Sequence, residues 1–161
     1  MIYNLNIVYR IRKYYDRKKK LKQKVLIKTS DSNYSKKIKI LEQLKEEGNK
    51  YFHDNNYHDA YLKYTEAINL KIDTQLNAVL FSNRALIDLK LENYGLALSD
   101  ANEAIFWDPN YIKAYYRRAN ANLCLLRLRE AIKDFTNLIS KNPKDSFVAD
   151  KLDEAKKLIE K

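Results

Sequence analysis

A recurring set of small side chains constrains this chain more than any other feature. Ala60, Ala97 and Ala131 lie 37 and then 34 residues apart, and each stands three residues after an aromatic or Leu (Tyr57, Tyr94, Leu128). Twelve residues before each Ala stand Gly48, Ala85 and Ala119; seven after it stand Ala67, Ala104 and Leu138. Pro109 and Pro143 are also 34 residues apart, each behind a helical stretch. Small residues at fixed places let two helices approach closely, where a large one would force them apart. A period of this length marks a unit that cannot bury its apolar face alone and must stack on copies of itself.

Composition points the same way. At 161 residues with 45% hydrophobic content, one domain with a real core is expected. Two Gly and two Pro are too few for a turn-rich β fold. The lone Cys124 excludes an internal disulfide. No apolar run approaches the roughly 18 residues of a membrane span. The net charge of +10 is unevenly spread: residues 1–40 hold 13 Lys and Arg against two Asp. The other 121 residues are close to neutral, so the folded part is a poor candidate for specific nucleic-acid binding.

Residues 1–40 read as a basic, flexible extension whose densest run is Arg17 to Lys24. A solvated tail is the plain reading; a nuclear-localisation signal is the sharper one, with a presequence or membrane-surface contact behind it. Thr29 to Ser35 reads as a polar linker. From about Ile40 the pattern turns to helix pairs. At the end, Val148, Leu152, Ala155 and Ile159 form one apolar stripe, with Ser146 placed to cap the helix that carries it. Lys113 and Arg117 are four residues apart and share a helix face beside aromatics, which suits an anion. Tyr115, Ala119 and Asn122 set the packed face of that helix.

The 34-residue period and its small-residue positions resemble the tetratricopeptide repeat (TPR). The resemblance implies an all-α fold, a right-handed superhelix of three helix-turn-helix repeats plus a C-terminal capping helix. The repeats would run about 41–74, 78–111 and 112–145, with the cap at about 146–160, seven helices in all. The first repeat carries Ile72 where the family has its terminal proline, and three extra residues follow, which predicts a longer loop and an extended helix end.

In such a stack the first helix of each repeat lines a concave groove. The groove positions would be Glu42, Lys45, Glu46 and Asn49; then Val79, Ser82, Asn83 and Leu86; then Lys113, Tyr116, Arg117 and Asn120. The segments Leu44–Asn49, Ser82–Ala85 and Tyr111–Arg118 are similar to the carboxylate-clamp TPR domains of chaperone adaptors. Such domains bind the Glu-Glu-Val-Asp C-termini of the ninety- and seventy-kilodalton heat-shock chaperones. The resemblance implies that Lys45, Asn49, Asn83, Lys113 and Arg117 form the clamp. Phe52 and Leu86 would wall it, and Lys90 would add a cation. Asn93–Ala101 with Tyr111–Arg118 resembles the phosphatase 5 subgroup in particular. That implies an alternative role as the regulatory arm of a serine/threonine phosphatase, with an in-cis phosphatase domain as partner. It also implies a cytoplasmic protein, possible in the nucleus as well.

Catalysis is not expected of this chain. His53 and His58 are the only histidines, five apart and without further ligands at metal spacing. No nucleophile–base arrangement, phosphate-cradling Gly loop or phosphatase metal motif is present. Neither a cofactor nor a metal is expected, and Trp107 reads as packing.

Overall fold

A computed structural model describes Asp16 and residues 32–72 and 74–160. Seven helices fill residues 32–160: α1 (Ser32–His53), α2 (Tyr57–Asn69), α3 (Leu76–Lys90), α4 (Tyr94–Trp107), α5 (Ile112–Cys124), α6 (Leu128–Lys141) and α7 (Ser146–Ile159). Each helix packs on the next, as in a stack of hairpins, and α3 also meets α5 across one repeat. The basic run from Arg17 to Lys24, and its reading as a localisation signal, lie outside the described residues.

The small residues sit where the helices cross. Ala60, Ala97, Ala131, Ala85 and Ala119 are all fully buried. Gly48 has the tightest crossing: a Cβ there would stand 2.7 Å from Tyr64 Cε1. A mid-helix Gly costs roughly 1 kcal/mol against Ala, and here it makes room for an aromatic ring. Two cores result. One gathers Leu41, Ala60, Tyr64, Ile72, Leu80 and Ile87; the other gathers Ala119, Ala131, Phe135, Leu138, Val148 and Ala155.

The three turns inside the repeats are copies of one another. Asn55, Glu92 and Leu126 have φ of 58°, 60° and 55°, the left-handed region. After each, a backbone N–H returns to a carbonyl five residues back: Asn56 to Tyr51 at 2.9 Å, Asn93 to Asp88 at 2.8 Å, Arg127 to Asn122 at 2.8 Å. These bonds end the first helix of each pair in the manner of a Schellman motif.

One ion pair pins each hairpin. Arg84 holds Asp100 bidentately at 2.6 and 2.9 Å, and Arg118 holds Asp134 at 2.7 and 2.8 Å. In the first hairpin the corresponding pair is Glu47 with Lys63 at 3.1 Å, so its polarity is reversed.

Three local expectations need correction. The first helix begins at Ser32, not near Ile40, and Tyr34 and Ile38 pack against the first core. Ser32 to Ser35 are therefore helical, not linker. The end of α2 is not extended: it stops at Asn69, Lys71 turns left-handed at φ 51°, and Ile72 is buried. Buried Asn77 ties this loop down by donating to the Ile72 carbonyl at 3.0 Å. The cap of α7 is Asp145, whose carboxylate accepts from Val148 N at 3.1 Å, and not Ser146. In α7, Val148 and Ala155 are buried, whereas Ile159 remains exposed.

Candidate functional site

The helices α1, α3 and α5 bring Lys45, Asn49, Asn83, Lys113 and Arg117 to one groove of about 350 Å³. Phe52, Val79 and Leu86 form its apolar wall, and Tyr64, Tyr111 and His53 complete it. Lys90 is exposed at the end of α3, outside this lining. Of the other groove positions expected from the sequence, Ser82 is fully buried. Tyr116 packs edge-on against Phe135 and tilts over Phe147. Asn120 donates to the Tyr116 carbonyl at 2.8 Å. Glu42 is exposed and lies outside the lining.

The polar floor is a small network. Tyr64 donates its hydroxyl to Asn49 Oδ1 at 2.7 Å. Asn83 Nδ2 donates toward the same Asn49 oxygen at 3.3 Å and toward Tyr64 Oη at 3.4 Å. Asn49 Nδ2 faces outward and donates to Glu46 Oε2 at 3.1 Å. The other oxygen of Glu46 pairs with Lys45 Nζ at 2.9 Å. The exposed Glu46 carboxylate thus rests on two groove donors, and the hydrogen bond from Lys45 holds its pKa below the usual carboxylate value.

Arg117 differs from its neighbours. Arg84 and Arg118 each hold a carboxylate bidentately. Arg117 forms no ion pair among the described residues, and its buried Nε has no hydrogen-bond partner. Its guanidinium lies 5.4 Å from the centroid of Tyr116. Burial lowers its pKa, and only the tyrosines Tyr116 and Tyr111 oppose that. A half-buried cation without a counter-ion is costly unless something anionic enters the groove. Lys113, one turn earlier on α5, is exposed and also without an ion pair among the described residues.

Sequence reasoning missed Tyr64, Tyr111 and His53, because it took only four inward positions from the first helix of each repeat; Tyr64 lies on a second helix, His53 ends α1 and Tyr111 precedes α5. Tyr64 comes from α2 and reaches the floor through the gap at Gly48. A signal was present: Gly48 holds the place that Ala85 and Ala119 hold elsewhere. Among the described residues no group of His, Cys, Asp and Glu is placed to hold a metal ion. No helix there is long and apolar enough to cross a membrane.

No family model matches the chain. Individual proteins do. Serine/threonine-protein phosphatase 5 of Rattus norvegicus is 38% identical over 122 residues, which cover 76% of this chain and 24% of that protein. The chain thus spans about a quarter of the length of that relative. The solved first TPR of Spaghetti (RPAP3), bound to an HSP90 peptide SRMEEVD, is 31% identical with a TM-score of 0.71, over 76% of this chain and 95% of that one. The second TPR domain of human RPAP3, in complex with an HSP70 peptide SGPTIEEVD, is 32% identical with a TM-score of 0.67, over 74% of this chain and 98% of that one. The helix pairs, the repeat-spaced alanines and this likeness along nearly the whole of two solved TPR domains agree: the chain belongs to the tetratricopeptide repeat family.

Proposed function

We propose that this chain is a peptide-docking module for the free C-termini of acidic proteins, of the Glu-Glu-Val-Asp kind carried by the ninety- and seventy-kilodalton heat-shock chaperones. The observation that carries the reading is Arg117, a half-buried guanidinium without a counter-ion among the described residues, in a groove with Lys45, Lys113 and two asparagine amides. A C-terminal Asp brings two carboxylates close together, and this groove offers donors for both. Lys45, Asn49 and Asn83 take the main-chain carboxylate. Lys113 meets the Asp side chain, and Arg117 a main-chain carbonyl or the preceding Glu. Phe52 and Leu86 seat the Val. The peptides held by the two RPAP3 domains support this choice of ligand.

A second reading rests on the likeness to phosphatase 5. There the module would be the targeting and autoinhibitory arm of a serine/threonine phosphatase, with the catalytic domain as an in-cis partner of the same groove. Under either reading the chain works in the cytoplasm, with the nucleus as a second compartment, and itself performs no catalysis.

Calorimetric titration with Met-Glu-Glu-Val-Asp, free and C-terminally amidated, tests the reading. Micromolar binding, about −8 kcal/mol, is expected for the free peptide. It should be lost on amidation and weakened about 10- to 150-fold by Arg117→Ala, as for a charge-assisted hydrogen bond. Equal binding of both peptides, or none of either, refutes it.

A further inference from the structure

Tyr64 stands behind the groove, not in the row of expected donors, and is only 2% exposed. Its ring is locked against the Gly48 backbone, where no side chain fits. That lock places its hydroxyl between the two asparagines of the floor. The hydroxyl donates to Asn49 Oδ1, and the same oxygen receives Asn83 Nδ2. An asparagine amide has two orientations that differ only by exchange of oxygen and nitrogen. Rotating the Asn49 amide alone by half a turn would set its N–H groups against the Asn83 N–H, and its oxygen would face the Glu46 carboxylate. An oxygen there repels a carboxylate.

We propose that Tyr64 is a positioning residue: with Glu46 drawing the Asn49 N–H outward, its hydroxyl bonds the inward Asn49 oxygen and accepts from Asn83, so that both amides keep N–H donors available to an incoming carboxylate. The inference rests on the reading of the groove as a carboxylate site. Glu46 shows the consequence in the unliganded protein, since its carboxylate takes the outward Asn49 N–H. Burial pushes the Tyr64 hydroxyl up to about 12, so it stays protonated and able to donate throughout the physiological range of pH.

The test is Tyr64→Phe in the full chain, which keeps the ring against Gly48 and removes only the hydroxyl. Two readouts are taken: the side-chain amide ¹⁵N–¹H signals of Asn49 and Asn83 in the unliganded protein, and affinity for free and amidated Met-Glu-Glu-Val-Asp. The Asn49 and Asn83 signals should shift and broaden as the amides begin to rotate. Affinity for the free peptide should fall about tenfold, the worth of one aligned hydrogen bond, while the amidated peptide serves as the non-binding control. In a double-mutant cycle with Asn49→Ala the two losses should not add. Unchanged amide signals or wild-type affinity for the free peptide would overturn the inference. Failure of the wild-type chain to prefer the free peptide would instead refute the groove reading, and the amide signals would still decide the role of Tyr64.

Discussion

Asp88 is the least comfortable residue in the fold, and replacing it by Asn should stabilise the protein in a pH-dependent way. Its side chain is 1% exposed, and neither carboxylate oxygen has a hydrogen-bond partner of good geometry. Burial first, and then the charge of Asp100, push its pKa from 3.8 up to about 6; the Asn93 amide and the Arg84 cation offset this only in part. Because the folded value lies above the unfolded one, the unfolded chain loses its proton first as pH rises. Stability therefore falls between about pH 4 and pH 6 and stays reduced above that. A rise of this size in the folded state removes at most about 3 kcal/mol of stability at neutral pH. Asn carries no charge, but burying its two N–H donors costs about 1–2 kcal/mol. The net gain at about pH 7.5 should be about 1–2 kcal/mol, shrinking by about 2 kcal/mol toward pH 4.5. The third repeat already makes this choice: Asn122 occupies the corresponding site and is buried at 4% exposure. Urea denaturation of both proteins at the two pH values reads the difference. A gain or loss that is the same at both would refute the reasoning, because it would mean that Asp88 does not titrate differently on folding.

Other substitutions probe separate parts of the molecule. Glu46→Gln removes the carboxylate that rests on Lys45 and Asn49, so free-peptide affinity should rise about two- to fivefold, in keeping with an exposed pair; titration calorimetry checks it. Leu126 is 71% exposed and held at φ 55°, so Leu126→Gly should raise the urea midpoint by the equivalent of about 1 kcal/mol, the relief of left-handed backbone strain. Asp100→Ala strands the half-buried Arg84 and should cost about 3–5 kcal/mol. Lys63→Ala breaks the more accessible equivalent pair, whose side chains are 27% and 36% exposed, and should cost less than about 1 kcal/mol in the same denaturation assay.

Most of the fold was legible because close helix crossings demand small residues, and these recur at a fixed period. The five polar groove residues were legible for a related reason: first-helix positions face inward in every repeat, so their register transfers. What escaped lay off that register. Tyr64 belongs to a second helix, and only the exchange of Ala for Gly at position 48 hinted at a ring there. The true start at Ser32 was masked by Lys36, Lys37 and Lys39, which drown the apolar pair Tyr34 and Ile38. Without a proline after the first repeat, nothing in the local sequence said that α2 would stop at Asn69; burial of Ile72 decides it. Asp145 displaces Ser146 as cap because both are competent cappers and the backbone turn falls one residue earlier.

The reversed ion pair of the first hairpin bears on how the chain finds its partners while folding. All three hairpins share the same turns and similar apolar faces, so α1 can in principle close on α4 or α6 instead of α2, within one chain or between two. Such an exchange would set Glu47 against Asp100 or Asp134. The reciprocal error, α3 on α2, would set Arg84 against Lys63. Like charges brought together across an interface cost free energy that the correct pairs do not. Three similar modules thereby differ in charge order, and mispairing of the first hairpin, within one chain or between two, carries a like-charge penalty at that joint. The second and third hairpins share one polarity and have no such guard, so helix exchange, where it occurs, is expected between them.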